Sequence, residues 1–192
     1  MNVAVVVLAA GGSRRLGRPK QLLDYRGATL LDATLTTARG CAAGQVVVAL
    51  GGAADEVRER VDLTGVDVVL NPDFGDGCAT SIRSALAAVR DDAAGVVLLL
   101  GDQPGVAPRT VEALVAGALG HAVGVCAYDD GLGHPLWFDR RLFDTLTGLH
   151  GDKAVWKLVD AGDDVVRVPI AGRIPRDVDT WADDQALLEA AE

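Results

Sequence analysis

Aromatic residues make up only 4% of this 192-residue chain, and it has only three lysines. Its tryptophans, Trp137, Trp156 and Trp181, stand too far apart to form a stacking platform and read as core or interface residues. The three cysteines, Cys41, Cys78 and Cys126, are odd in number and widely spaced. They exclude a disulfide framework and a CxxC metal site, and predict reduced, mostly buried thiols. Of the histidines, His121 and His150 have no partner spacing and read as surface residues. With His134 they form no transition-metal signature, and no Ser-His-Asp order or nucleophile elbow occurs. No apolar run is long enough to span a membrane, and the amino terminus lacks the features of a leader, so a cytoplasmic protein is expected. Positive charge is short as well. A net charge of −9 leaves no general basic face for a phosphate backbone, which argues against nucleic acid as a partner.

What is present is a large apolar content, 49%, enough for one globular domain over residues 1–192. Continuous valine-rich runs at Val3–Leu8, Gln45–Leu50, Val66–Leu70, Gly95–Leu100, Ala122–Ala127 and Val165–Pro169 have the character of strands covered on both faces. Between them lie helix-like segments at Leu30–Ala42, Ala54–Val61, Thr80–Val89, Pro108–Leu119, Arg140–Leu146, Lys153–Ala161 and Trp181–Ala190. This alternation predicts an α/β fold, a mostly parallel sheet between two helical layers. Gly131–Phe138 breaks the rhythm and is expected to be an irregular or antiparallel excursion.

The most pointed stretch follows the first strand: Leu8-Ala9-Ala10-Gly11-Gly12-Ser13-Arg14-Arg15-Leu16-Gly17-Arg18-Pro19-Lys20. Small residues let backbone N–H groups approach a phosphate chain, and the cations neutralise it. The carboxyl end of a first strand is where open α/β sheets bind nucleotides. Two familiar phosphate motifs fail on spacing. Gly12 and Gly17 are placed as in a P-loop but are followed by Arg18-Pro19, and Gly11-Gly12-Ser13 breaks the dinucleotide fingerprint. The bland alternative is a basic surface loop with glycines for turns. In an acidic protein, one basic loop suggests one small anionic ligand.

The pattern LAAGxSxRxGxxK, filled by Leu8, Ala9, Ala10, Gly11, Ser13, Arg15, Gly17 and Lys20, resembles the signature of the MobA-like nucleotidyltransferase superfamily. The continuation Gln21-Leu22-Leu23 is similar to the branch of molybdenum cofactor cytidylyltransferases. Asn71-Pro72-Asp73-Phe74-Gly75-Asp76-Gly77, Gly101-Asp102-Gln103-Pro104, Gly133-His134-Pro135, Gly151-Asp152-Lys153 and Asp177-Val178-Asp179-Thr180 extend the resemblance along the chain. It implies a single-domain three-layer sandwich with a Rossmann-like sheet of the nucleotidyltransferase or glycosyltransferase-A type. The amino-terminal part would bind the nucleotide, and residues of about 120–180 the acceptor.

Asp102 follows a buried strand, on the ligand rim, where a carboxylate can bind Mg2+. Its plain alternative is a turn residue before Pro104. Asp179 is a candidate second metal ligand or a helix cap, with Thr180 the expected cap. Asn71 is placed on the rim to read a base edge, or else to form a turn. Ser81, near the start of a helix, is placed to touch a phosphate or to cap. His134 beside Gly and Pro is expected on a loop. Spacing gives no mechanism for His134, Asp152 or Lys153; the resemblance places them toward the second substrate.

The resemblance implies CMP transfer from CTP to molybdopterin carrying molybdenum, with release of pyrophosphate. Lys20 and Arg15 would serve the phosphates, Asp102 and Asp179 the Mg2+, and the Leu8–Gly12 backbone and Asn71 the base and sugar. A molybdenum hydroxylase or its chaperone would be the protein partner. The alternatives are GTP as donor, a sugar, polyol or phospholactate acceptor, and a non-catalytic nucleotide-binding cofactor chaperone. The Ala10 methyl narrows the base site, which favours CTP over GTP.

Overall fold

The computed structural model describes residues 2–13, 15–151 and 153–189. In chain order, β1 (Ala4–Ala9) leads to a 3-10 turn (Lys20–Leu22), a short hairpin β2 (Asp24–Tyr25) and β3 (Ala28–Thr29), and α1 (Leu30–Gly40). Then come β4 (Gln45–Leu50), α2 (Ala54–Arg60), β5 (Asp67–Leu70), α3 (Cys78–Leu86), β6 (Gly95–Leu100) and α4 (Pro108–Ala118). The remainder is β7 (Val123–Tyr128), β8 (Gly131–Asp139), α5 (Phe143–Thr147), α6 (Ala154–Ala161), β9 (Val165–Pro169) and α7 (Trp181–Glu189).

Seven strands form one sheet in the order β5-β4-β1-β6-β8-β7-β9. Every pairing is parallel except those of β8, which runs antiparallel to β6 and β7. The continuous apolar runs work as two interleaved sets, since alternate residues of a strand face opposite sides. Val5 and Val7, Val46 and Val48, and Val97 and Leu99 face one core, shared with Leu31, Leu35, Val57, Val111 and Leu114 from α1, α2 and α4. Ala4 and Val6, Val47 and Ala49, and Val96 and Leu98 face the other, shared with Ile82, Leu86, Leu146, Val155 and Val159 from α3, α5 and α6. The result is the expected three-layer α/β sandwich. A third, smaller core joins Leu16, Leu23, Tyr25 and Leu30 to Val178 and Leu187, and ties the basic loop to the carboxyl-terminal segment.

Gly131–Phe138, expected as an irregular or antiparallel excursion, is antiparallel: it lies within a nine-residue strand whose register with β7 shifts where His134 and Pro135 go unpaired. It fills the slot between β6 and β7, where both faces are covered, so its residues show no helical period. His134 therefore stands in a strand, not on a loop. The segment Arg140–Leu146 divides into a 3-10 turn, Arg140–Leu142, and α5. The hairpin β2–β3 has no apolar signal, since each strand is two residues long. Of the thiols only Cys126 is buried; Cys41 and Cys78 are half-buried. His121 does have a partner: its Nδ1 lies 2.7 Å from Asp164 Oδ1, a contact made across 43 residues of sequence. Among the described residues, no helix is long and apolar enough to cross a membrane.

Candidate functional site

A cavity of about 600 Å³ opens at the carboxyl ends of β1 and β6. Its described lining includes Leu8, Ala9, Ala10, Gly11, Gly12, Ser13, Arg15, Lys20, Ser81, Asp102 and Asp179. Asn71, His134 and Lys153 are not among the lining residues, and Asp152 lies outside the described residues, as does Arg14.

The loop after β1 is held from within. Ser13 adopts a positive φ of 49°, and its carbonyl accepts from the N–H groups of Leu16 and Gly17 at 3.0 and 3.2 Å. Its hydroxyl accepts from the Lys20 N–H at 2.8 Å. The main clasp is Gln21, whose buried Nε2 donates to the carbonyls of Ala9 at 2.6 Å and Gly11 at 3.1 Å. Burying an amide is costly unless it is bonded, so these bonds fix the loop to the turn that carries Lys20. Sequence reasoning gave Gln21 no role. Its position directly after Lys20 was the available signal. Phe74, which also lines the cavity, was missed too. It packs where β4 ends: a Cβ at Gly51 would stand 2.9 Å from Phe74 and 2.4 Å from the Ala10 carbonyl. Only glycine lets these segments come so close.

Lys20 Nζ donates to Asp102 and, at 2.9 Å, to Asp179 Oδ1. Arg15 reaches the other oxygen of Asp179 at 3.1 Å. Residues 15, 20, 102 and 179 are thus gathered at one end of the cavity. Burial pushes the Asp102 carboxyl up from its ordinary pKa more than the Lys20 charge pulls it down, and the neighbouring Asp177 pushes the same way. Burial works against the Lys20 charge, but Asp102 and Asp179 outweigh it, so the ammonium is held above its usual value. The Lys20 hydrogen bond holds the half-exposed Asp179 below the usual carboxylate range.

Thr180, not Asp179, organises the start of α7. The Asp183 carboxylate accepts from the Thr180 N–H at 2.8 Å and from its hydroxyl at 2.7 Å. The Asp179 side chain is therefore directed to the cavity cations. Two carboxylates converging on one cation suit a hard divalent ion that completes its shell with phosphate and water oxygens. Among the described residues no three His, Cys, Asp or Glu side chains form a cage, so protein groups alone would not saturate such an ion.

Asn71 is buried behind the wall. Its Nδ2 donates to Thr80 Oγ1 at 2.8 Å and Ser81 Oγ at 2.9 Å, and its Oδ1 accepts from the Asp73 N–H. Since the amide is committed internally, Asn71 meets the cavity through Ser81, which does line it. His134 is half-buried, edge-on to Trp156 of α6 with ring centroids 5.5 Å apart. Burial pushes its imidazole down to about 4. Lys153 is exposed, and the nearby Gly151 carbonyl accepts from the Ala79 N–H at 3.4 Å, at the start of α3.

A family model described as the MobA-like NTP transferase domain matches residues 5–165. The chain is 34% identical over 148 residues to nicotine blue oxidoreductase of Paenarthrobacter nicotinovorans, covering 73% of this chain and 72% of that one. It is 30% identical over 101 residues to molybdenum cofactor cytidylyltransferase of Escherichia coli K12, covering 52% and 50%. Among solved structures, Rv0371c of Mycobacterium tuberculosis H37Rv in complex with manganese matches with a TM-score of 0.90 and 47% identity, over 99% of this chain and 100% of that one.

Proposed function

Because the chain belongs to the MobA-like NTP transferase family, we propose that it moves a nucleoside monophosphate from a triphosphate onto a phosphate-bearing small molecule. The proposed donor is CTP, the acceptor molybdopterin carrying molybdenum, and the metal Mg2+. The product would pass to a molybdenum hydroxylase or its chaperone in the cytoplasm. The observation that carries this reading is the meeting of Lys20, Asp102 and Asp179 at the mouth of a glycine-rich loop.

In this reaction an oxygen of the acceptor's phosphate bonds to the α-phosphorus. The bond to the α–β bridging oxygen breaks, and pyrophosphate leaves with the electron pair. The acceptor phosphate is already ionised near neutral pH, so no general base is needed. The protein's work is alignment and cancellation of charge. The backbone of residues 8–12 cradles the nucleotide, held in shape by Gln21. Asp102 and Asp179 would hold the Mg2+, which when bound neutralises charge on the phosphate oxygens. Lys20 Nζ donates to both carboxylates and, with Arg15, would supply charge to the phosphates. The acceptor lies toward Ser81 and toward Gly151, whose carbonyl meets the start of α3 two residues before Lys153. His134 acts there by supporting Trp156.

Pyrophosphate release, measured with each of the four triphosphates against molybdopterin and against sugar, polyol and phospholactate phosphates, tests this. The expected result is metal-dependent release, fastest with CTP and molybdopterin. The likeness to the oxidoreductase, which spans more of the chain than that to the cytidylyltransferase, favours a second reading as a redox enzyme on an organic substrate. No pyrophosphate from any pair, together with turnover of nicotine blue in the presence of an added electron donor, would select it.

A further inference from the structure

Asp179 reaches the cavity at the end of a strap, residues 170–180, that has no regular secondary structure. The strap is fixed along its length by neighbours from other parts of the chain. Asp129 Oδ2 accepts from the Gly172 N–H at 3.1 Å, and Asp130 Oδ1 from the Ile174 N–H at 2.8 Å. Gln103 Nε2 donates to the Pro175 carbonyl at 2.5 Å. The Val178 N–H donates to the Asp102 carbonyl at 3.2 Å. Val178 itself is fully buried in the small core beside the basic loop. Its neighbours Asp177 and Asp179 both line the cavity.

Gln103 differs from the other anchors. It is 4% exposed, and a buried amide is unfavourable unless bonded. Its Nε2 bond goes to the strap, while its Oε1 is buried with no partner among the described residues. The strap lies flush against the turn that follows: a Cβ on Gly105 would stand 3.3 Å from Pro175 Cβ. The residue next to Asp102 therefore grips the segment that presents Asp179.

We infer that Gln103 is a positioning residue for Asp179. It holds the strap so that Asp102 and Asp179 face the same cation, and Gly101-Asp102-Gln103-Pro104 sets both carboxylates, one directly and one through an amide. This rests on the role given to Asp179 under the proposed reaction. A leucine at position 103 keeps the volume and removes the donor, so the strap loosens while the sheet is untouched.

The test is a double-mutant cycle of Gln103→Leu with Asp179→Asn, read by kcat/KM for pyrophosphate release and by amide hydrogen exchange. Gln103→Leu should lower kcat/KM about tenfold, leave the KM of the triphosphate unchanged, and speed exchange at Ile174, Arg176 and Val178 with little change in Tm. In the Asp179→Asn background the same substitution should cost less than twofold, because the group it positions is gone. An undiminished tenfold loss in that background, or a changed preference among triphosphates, would overturn the inference by showing that Gln103 acts on substrate independently of Asp179. Unchanged exchange in the strap would overturn it as well. Full activity of Asp179→Asn alone is a different failure: it removes the reading of the site, and this inference with it.

Discussion

Within residues 4–103 the loop after β1 and Asp102 reach the cavity from the ends of buried parallel strands, whereas residues 123–180 reach it by a strap pinned from outside. Leu8 to Ser13 continue from β1, and Asp102 stands two residues beyond β6. Both take their position from strands locked into the sheet on either side. The second region contains the antiparallel β8 and the edge strand β9, and gives the cavity Asp177 and Asp179. Asp102 is held by the rigid part and is almost fully buried, while the Asp179 side chain retains 43% exposure. The two carboxylates thus differ in rigidity and in access to water, although they face the same ammonium.

The comparison breaks most directly through matched substitutions. Asp102→Asn should cost about a thousandfold in kcat, several kcal/mol of lost charge stabilisation in a dry setting. Asp179→Asn should cost about a hundredfold, since water can replace an oxygen at an exposed position and screening there is stronger. Pyrophosphate release at saturating substrates and limiting Mg2+ gives both numbers. Equal losses would mean that the strap places its carboxylate as firmly as the sheet does.

Lys20 sharpens the same contrast, because it belongs to the first region and binds a group from each. Lys20→Met should lower kcat about a hundredfold with a smaller effect on triphosphate affinity, the pattern of a charge used mainly in the transition state. On the proposed assignment, a metal ion held by the two carboxylates competes with the ammonium that now donates to both. Mn2+ alone, titrated by electron paramagnetic resonance, should therefore bind the variant more tightly than the unmodified protein. A loss confined to triphosphate binding would make Lys20 a ground-state anchor.

Much of this division was readable in the sequence, and for a physical reason. A valine run ending in small residues and cations places a loop on the rim without any knowledge of the rest, because strand direction and burial are local properties. That is why Leu8 to Ser13, Lys20 and Asp102, all of which line the cavity, and the burial of both faces of the sheet are legible in the sequence. Asn71 was placed on the rim by the same rule. The rule says where a backbone ends, not where a side chain points, and the amide turned inward to Thr80 and Ser81. In the second region the deciding contacts join residues far apart in sequence, such as Gln103 with Pro175 or His121 with Asp164. No periodicity reports them. β8 is obscured in the sequence because Gly133 and Pro135 are poor strand residues, and Pro135 is tolerated in this internal strand where a bulge takes it out of the pairing with β7.

His134 sets a smaller prediction in the second region. Its imidazole falls from the ordinary 6.5 to about 4 in the folded protein, through burial. The unfolded chain therefore takes up a proton first as pH falls. Stability is complete above about pH 6.5, declines between there and about pH 4, and loses nothing further from this group below that. After screening of a half-buried ring the loss is about 2 kcal/mol. His134→Phe keeps a ring against Trp156 and should flatten this part of the stability profile, measured by urea unfolding from pH 7 to 4. His134→Ala, which removes the ring that supports Trp156, should raise the KM of the acceptor and spare that of the triphosphate. Equal changes in both would remove the separation of the two regions by substrate.

The smallest effect belongs to the base, and it lies wholly in the first region. Ala10 lines the cavity but is only 4% exposed, so little of its methyl meets a ligand. Its carbonyl is packed where β4 ends, and Gln21 holds the carbonyls on either side of it, those of Ala9 and Gly11. Ala10→Gly should therefore widen the base site only slightly. Removing a methyl from such a pocket is worth about 1 kcal/mol, a shift of several-fold toward GTP in the ratio of specificity constants. The loop should keep its shape, because Gln21 and not Ala10 fixes it. Measuring kcat/KM for CTP and GTP with one acceptor decides the matter. A shift well beyond tenfold would show that the whole loop had moved, and no shift would pass base selection to Phe74 and the groups around it.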